Sequence, residues 1–186
     1  MKRFAVCAIL LFAITGNGTC AQSRLETAQA WGQDREGLRL GISGIRTARS
    51  TGANFIVALQ NTSTSDFVVN LGHMLGNGAM FSSAIRLALT GPAGDTRELH
   101  FFDRPGVAGW LGDYTVALRP GATYTLPVSL DQYWNGAAKV TLPTGRHQIA
   151  AQFEGNGATL NREMQLNLHS WKGTVRSSVF EFEVTP

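Results

Sequence analysis

From Leu38 to the end of the chain, apolar side chains recur at alternate positions in short runs, and clusters of Gly, Pro, Asn and Asp separate the runs. A period of two sends successive side chains to opposite faces, as a strand with one buried face requires; a helix would need a period near 3.6. No stretch carries a convincing amphipathic helical pattern, and no internal repeat is present. The pattern therefore restricts the chain to antiparallel strands joined by turns.

Read in order, Leu38, Leu40, Ile42 and Ile45 form a first strand, with a bend or bulge expected at Gly41 or Gly44, where the alternation slips by one residue. Phe55, Val57 and Leu59 share one face of a second strand. Asn61 to Asp66 then supplies turn formers, and Phe67 to Leu71 returns as the other half of a hairpin. Gly72 to Ser83 reads as a loop. A second hairpin runs from Ile85, Leu87 and Leu89 through Gly91 to Asp95 and back along Leu99 to Phe102. After a loop from Asp103 to Asp113, anchored by Trp110 and Leu111, the strongest hairpin signal follows: Tyr114, Val116 and Leu118, a turn at Arg119, Pro120 and Gly121, then Tyr124, Leu126, Val128 and Leu130. Beyond the loop from Asp131 to Gly145, Ile149, Ala151 and Phe153 form a strand. The closing strand places Phe180 and Phe182 on its core face and Glu181 and Glu183 on the other. About nine strands in all predict an all-β, antiparallel two-sheet sandwich over residues 37–186.

The N-terminus has a different grammar. Lys2 and Arg3 precede the unbroken apolar run from Phe4 to Ile14, which is shorter than the roughly 20 residues a spanning helix needs and fits a signal-peptide core. Thr19 and Ala21 place small residues for cleavage after Ala21, so residues 1–21 are read as a signal peptide and 22–36 as a polar tether. No transmembrane span is expected. Lipidation at Cys20 is disfavoured, because Asn17 and Thr19 stand where a lipobox carries an apolar residue and a Gly or Ala. Cys7 and Cys20 both precede the cut, so the exported domain has no disulfide and must be held by its core.

Without Lys2 and Arg3 the chain keeps 14 basic residues against 13 acidic ones, scattered along its length. No basic cluster exists to neutralise a row of phosphates, which excludes nucleic acid as an expected partner. Twelve of those basic residues are Arg, a bias that suits a GC-rich bacterial genome.

Three segments carry a resemblance: Val57 to Val69 (VALQNTSTSDFVV), Leu118 to Leu130 (LRPGATYTLPVSL), and Gly145 to Phe153 followed by Trp171 to Val184 (WKGTVRSSVFEFEV). Together they resemble bacterial secreted or periplasmic immunoglobulin-like domains and the β-sandwich region preceding the catalytic domain of deuterolysin-like zinc proteases. The resemblance implies an immunoglobulin-like fold. It departs at Gly145-Arg146-His147, where such domains commonly have Gly-x-Tyr, and the His-Glu-x-x-His signature is absent, so no protease activity carries over.

Candidate chemistry is sparse. His73, His100, His147 and His169 are not paired at metal-ligand spacing. His73 beside Met74, with Met80 nearby, has the soft donors of a copper site, but those methionines equally suit a plug at the end of the sandwich. Neither a metal nor a cofactor is expected. Ser43 lies in Gly41-Ile42-Ser43-Gly44, which lacks the spacing of a nucleophile elbow. Asp103, Asp113 and Asp131 flank loops, where aspartates commonly bond turns. Asn61-Thr62-Ser63 matches a glycosylation acceptor, relevant only in a eukaryotic secretory pathway.

Loop aromatics offer flat faces to sugars or protein anchors, which makes Trp110, Tyr133 and Trp134 the candidate ligand-binding residues; Trp171 is expected to pack across the edge of the final strand. The expected function is a non-enzymatic exported module that binds a protein partner through loops or an unpaired edge strand. Carbohydrate recognition by the loop aromatics is one alternative. A hydrolase or metal-dependent enzyme with a site assembled from distant residues is another.

Overall fold

A computed structural model describes residues 29–44, 47–49, 53–75, 78, 80–101, 111–135, 138–157 and 169–186. The expected signal peptide, Ile45, Asp103 and Trp110 lie outside these residues. The strands in chain order are β1 (Ala30–Trp31), β2 (Leu38–Gly44), β3 (Thr47–Arg49), β4 (Asn54–Asn61), β5 (Phe67–Leu75), β6 (Met80–Phe81), β7 (Ile85–Thr90), β8 (Thr96–Phe101), β9 (Leu111–Leu118), β10 (Thr123–Ser129), β11 (Tyr133–Asn135), β12 (Ala138–Lys139), β13 (Gly145–Asn156), β14 (His169–Ser170), β15 (Lys172–Arg176) and β16 (Phe180–Thr185). A single 3-10 turn, Leu130–Gln132, is the only helical element among the described residues. The protein is all-β.

The strands form three sheets. One has the order β1-β2-β4-β10, and a second is built on β5 with β9 along one side and β14 and β6 along the other. The third runs β12-β11-β8-β7-β13-β16-β3, with β15 also pairing β13. Pairing is antiparallel except for β14 on β5 and β3 on β16. All three sheets contribute to one apolar core, in which Leu38, Leu40 and Ile42 of β2 meet Val69 and Leu71 of β5, and Ile149 and Phe153 of β13. Across it, the Phe55 ring stands edge-on to Phe182 at 5.2 Å and to Phe180 at 6.2 Å. As the alternation predicts, Phe180, Phe182 and Val184 are buried while Glu181 and Glu183 are exposed. His147, where the resemblance has Tyr, fills the aromatic position by stacking on Phe182 at 5.3 Å.

Two of the three expected hairpins are something else. The β7–β8 hairpin forms as predicted, closed by the Gly91–Asp95 turn. In contrast, β4 pairs with β2 and β10, while β5 pairs with β9. The turns after Asn61 and after Leu118 therefore carry the chain from one sheet to another. Asn61 explains the double crossing. It is fully buried, its Nδ2 donates to the carbonyls of Ser65 (2.8 Å) and Leu118 (2.9 Å), and its Oδ1 accepts from the N–H and hydroxyl of Ser63. One amide thus ties both turns together. Above this corner the Tyr114 and Tyr124 hydroxyls bond each other across the sheets.

Other departures have local causes. Gly72–Ser83 is not an open loop: β5 continues through a register shift between Asn70 and His73, made possible by Gly72 at φ +139°, where a Cβ would sit 2.2 Å from the Phe81 carbonyl oxygen. The tether at 22–36 is in part structural, because Ala30 and Trp31 pair with Ile42 and Gly41. No bulge interrupts β2, which pairs with β4 in register from Leu38 to Gly44. The loop 131–145 contains β11 and β12. Finally, β15 and β16 line one side of β13, and Ser177 bridges the break between them: its N–H donates to Ala151 O and its hydroxyl accepts the Ala151 N–H at 2.8 Å.

Candidate functional site

Of the three aromatic candidates, Tyr133 is 1% exposed, with its ring edge-on to Phe101 at 5.5 Å, so it presents no face to solvent. Burial pushes its phenol well above the usual range, and the Ser82 side chain beside it offsets only part of this. Its hydroxyl makes no well-formed hydrogen bond. The Trp134 main chain pairs with His100 and Lys139 in the large sheet, and Trp110 lies outside the described residues. Trp171 is structural, but its contacts are with β13 and not with the final strand: it is buried against Phe153 and over Gly155, and its indole donates to Glu36 O at 3.3 Å.

Among the described residues the enzyme candidates do not converge. Ser43 is buried within β2, and Asp131 is exposed in the 3-10 turn. His73 and Met74 are neighbours on a strand and face opposite sides, His73 exposed and Met74 packed against the core. Met80 pairs opposite Met74 and is 55% exposed. His73 does line a polar cleft of about 250 Å³ with Asn70, Ser83, Arg86 and Glu154, where Glu154 is engaged by Arg86 at 3.1 Å. Among the described residues no group of three or more His, Cys, Asp or Glu side chains could hold a metal ion.

Two surface features stand out among the described residues. The first is β10, the last strand on one side of its sheet among those residues. Asn61 N–H donates to Ala122 O, and Leu130 N–H donates to Ala53 O, which fixes the phase of the β4–β10 ladder. Tyr124, Leu126 and Val128 turn their main-chain groups to β4, and Thr123, Thr125, Pro127 and Ser129 turn theirs outward. Thr123, Thr125 and Pro127 also have exposed side chains, whereas Leu126 and Val128 are buried. Pro127 therefore occupies an outward slot, where its missing N–H costs the ladder nothing. Its place inside an apolar alternation was the one sequence sign that β10 is an edge.

The second is a cleft of about 460 Å³ between the start of the fold and the β15–β16 break, lined by Gly32, Gln33, Arg35, Thr174, Arg176, Ser177 and Ser178. Adjoining it at Arg176 and Ser177 is a trough of about 320 Å³ whose lining includes Ala88 and Ala150, direct partners on β7 and β13. Arg86 there is paired with Glu98 at 3.7 Å and with Glu154 at 3.1 Å. Arg35 and Arg176 escaped attention in the sequence because they are separated by nearly the whole domain.

Among the described residues the fold is all-β, with β10 at the end of one sheet and Arg35 and Arg176 lining one cleft. The chain matches no protein-family model, and the search among curated proteins gives no match.

Proposed function

We propose that this protein is a non-enzymatic, exported immunoglobulin-like binding module that takes an extended segment of a protein partner by strand addition at β10. The observation that carries the reading is the phase of β10: three residues, Thr123, Thr125 and Ser129, aim N–H groups outward, alongside the carbonyls of those residues and of Pro127. Such a row is a template for another strand, and this edge carries no charged side chain to repel one. Main-chain pairing would supply affinity, and the exposed Thr123, Thr125 and Pro127 side chains would select among partners. Export follows from the charged start and the apolar run from Phe4 to Ile14.

The test is capture of the partner from the envelope fraction of the exporting cell by wild-type and Thr125→Pro protein. Thr125→Pro deletes an outward N–H and leaves every β4–β10 hydrogen bond in place. Capture should be lost while the melting temperature is kept. Equal capture by both proteins would overturn strand addition at this edge.

A further inference from the structure

The cleft beside Arg35 has the chemistry of an oxyanion receptor, and it lies at the β1 edge of the four-stranded sheet, opposite β10. Its walls are fixed. Glu36 and Gly37, both at positive φ, make a tight turn closed by paired hydrogen bonds between Arg35 and Leu38, which sets the position of Arg35. Gly32 packs so closely on the opposite wall that a Cβ there would lie 1.7 Å from the Arg176 carbonyl oxygen. Ser178 locks the two walls by donating its hydroxyl to Trp31 O at 2.6 Å.

The lining is rich in donors and holds no carboxylate. Arg176 gives its Nε to Gln152 at 2.6 Å, which orients the guanidinium and leaves its two terminal NH2 groups available. Ser177 accepts the Ala151 N–H through its hydroxyl oxygen, so its own hydrogen remains free to donate. Asp34, next to Arg35 in sequence, turns its carboxylate to the Gly37 N–H and the Thr62 hydroxyl and forms no ion pair with Arg35. A lining that carries two arginines and the Ser177 hydroxyl suits the tetrahedral oxygens of phosphate or sulfate, which accept charge-assisted bonds from Arg. The volume falls within the range of small-molecule sites, roughly 300–1,000 Å³, and exceeds what a bare ion fills.

We infer that this cleft binds the phosphate group of a larger ligand, with Arg35 and Arg176 as its two cationic clamps and Ser177 as a hydroxyl donor. The test is calorimetric titration of the exported protein with inorganic phosphate and with a hexose monophosphate. Saturable binding of both is expected, tighter for the sugar phosphate, and weakened by added salt. Arg35→Gln and Arg176→Gln should each weaken it about tenfold or more, as loss of a charge-assisted bidentate contact does. Arg35 carries no side-chain bond in the fold, so its variant separates binding from folding; Arg97→Gln, outside the cleft, should bind as wild type. Sedimentation with phosphatidylglycerol vesicles distinguishes the phosphate's source. Co-sedimentation lost in both glutamine variants would assign it to a lipid headgroup, and phosphate binding without co-sedimentation would assign it to a soluble ligand. Absence of saturable binding to either anion, or binding that survives both glutamine variants, would overturn the inference.

Discussion

Asn61 shows how much of the architecture can hang on a single side chain. Its amide bonds the Leu118 and Ser65 carbonyls from a fully buried position; Asn61→Ala would take this partner from Leu118 O and from the Ser63 N–H, while Ser65 O keeps the Ser63 hydroxyl at 2.9 Å. Each buried polar group left unpaired costs about 1–3 kcal/mol, and a total loss of roughly 2–5 kcal/mol is expected in urea melts. Asn61→Asp keeps the acceptor for Ser63 but loses both donations, and should fall short of wild type by a similar margin. The closing strand supplies a second contrast at this scale. Phe182→Ala should cost about 3–5 kcal/mol because it empties a site between Phe55 and His147. Glu181→Ala should cost at most about 0.5 kcal/mol, since its bond to Gln148 is exposed. Equal effects in paired urea melts would contradict the strand's orientation.

At the scale of the element, β10 makes a prediction that needs no partner. Amide exchange should be slow at Tyr124, Leu126 and Val128, whose N–H groups point to β4, and fast at Thr123, Thr125 and Ser129. A shift of the ladder by one residue would invert that alternation. The same phase predicts that Leu126→Pro destabilises by about 3 kcal/mol or more through a lost ladder bond, with Thr125→Pro well below that. Here the sequence was legible in part. Pro127 marks an edge, and Gly121 at φ +74° marks a turn, but neither says that the strand before the turn belongs to a different sheet. A short Pro-Gly turn serves a hairpin and a sheet-to-sheet crossing equally well, because both reverse the chain within a few residues.

For the whole molecule, stability should depend on alkaline pH through two phenols. Burial, reinforced by the bond to Tyr124, holds Tyr114 well above its ordinary value of 10.0, and burial alone raises Tyr133. A raised folded value means that the unfolded chain releases its protons first. The contribution is therefore complete below about pH 10 and is lost as pH rises beyond it, at up to about 1.4 kcal/mol per pH unit for the deeply buried Tyr133 and less for Tyr114. Tyr133→Phe should flatten that decline in melts between neutral and alkaline pH. At neutral pH it should be nearly neutral or stabilising, because the hydroxyl it removes has no well-formed hydrogen bond.

The sequence by itself determined the strands and their buried faces, because a period-two pattern is a local statement about which side of a pleat meets water. The burial of Leu38, Leu40, Ile42, Ile149, Phe153, Phe180 and Phe182 was all readable in this way. Which strand lies beside which was decided only in the tertiary structure. Ladder hydrogen bonds join main-chain groups that every residue shares, so alternation names a face and not a neighbour; that β4 pairs with β10, and that Asn61 ties the end of β4 to the end of β9, appear only in the fold. The binding surfaces followed the same division. Tyr133 looked like a loop aromatic and became core once the segment after Leu130 folded back on β8. The meeting of Arg35 with Arg176 exists only because Gly32 lets the start of the domain rest on its penultimate strand.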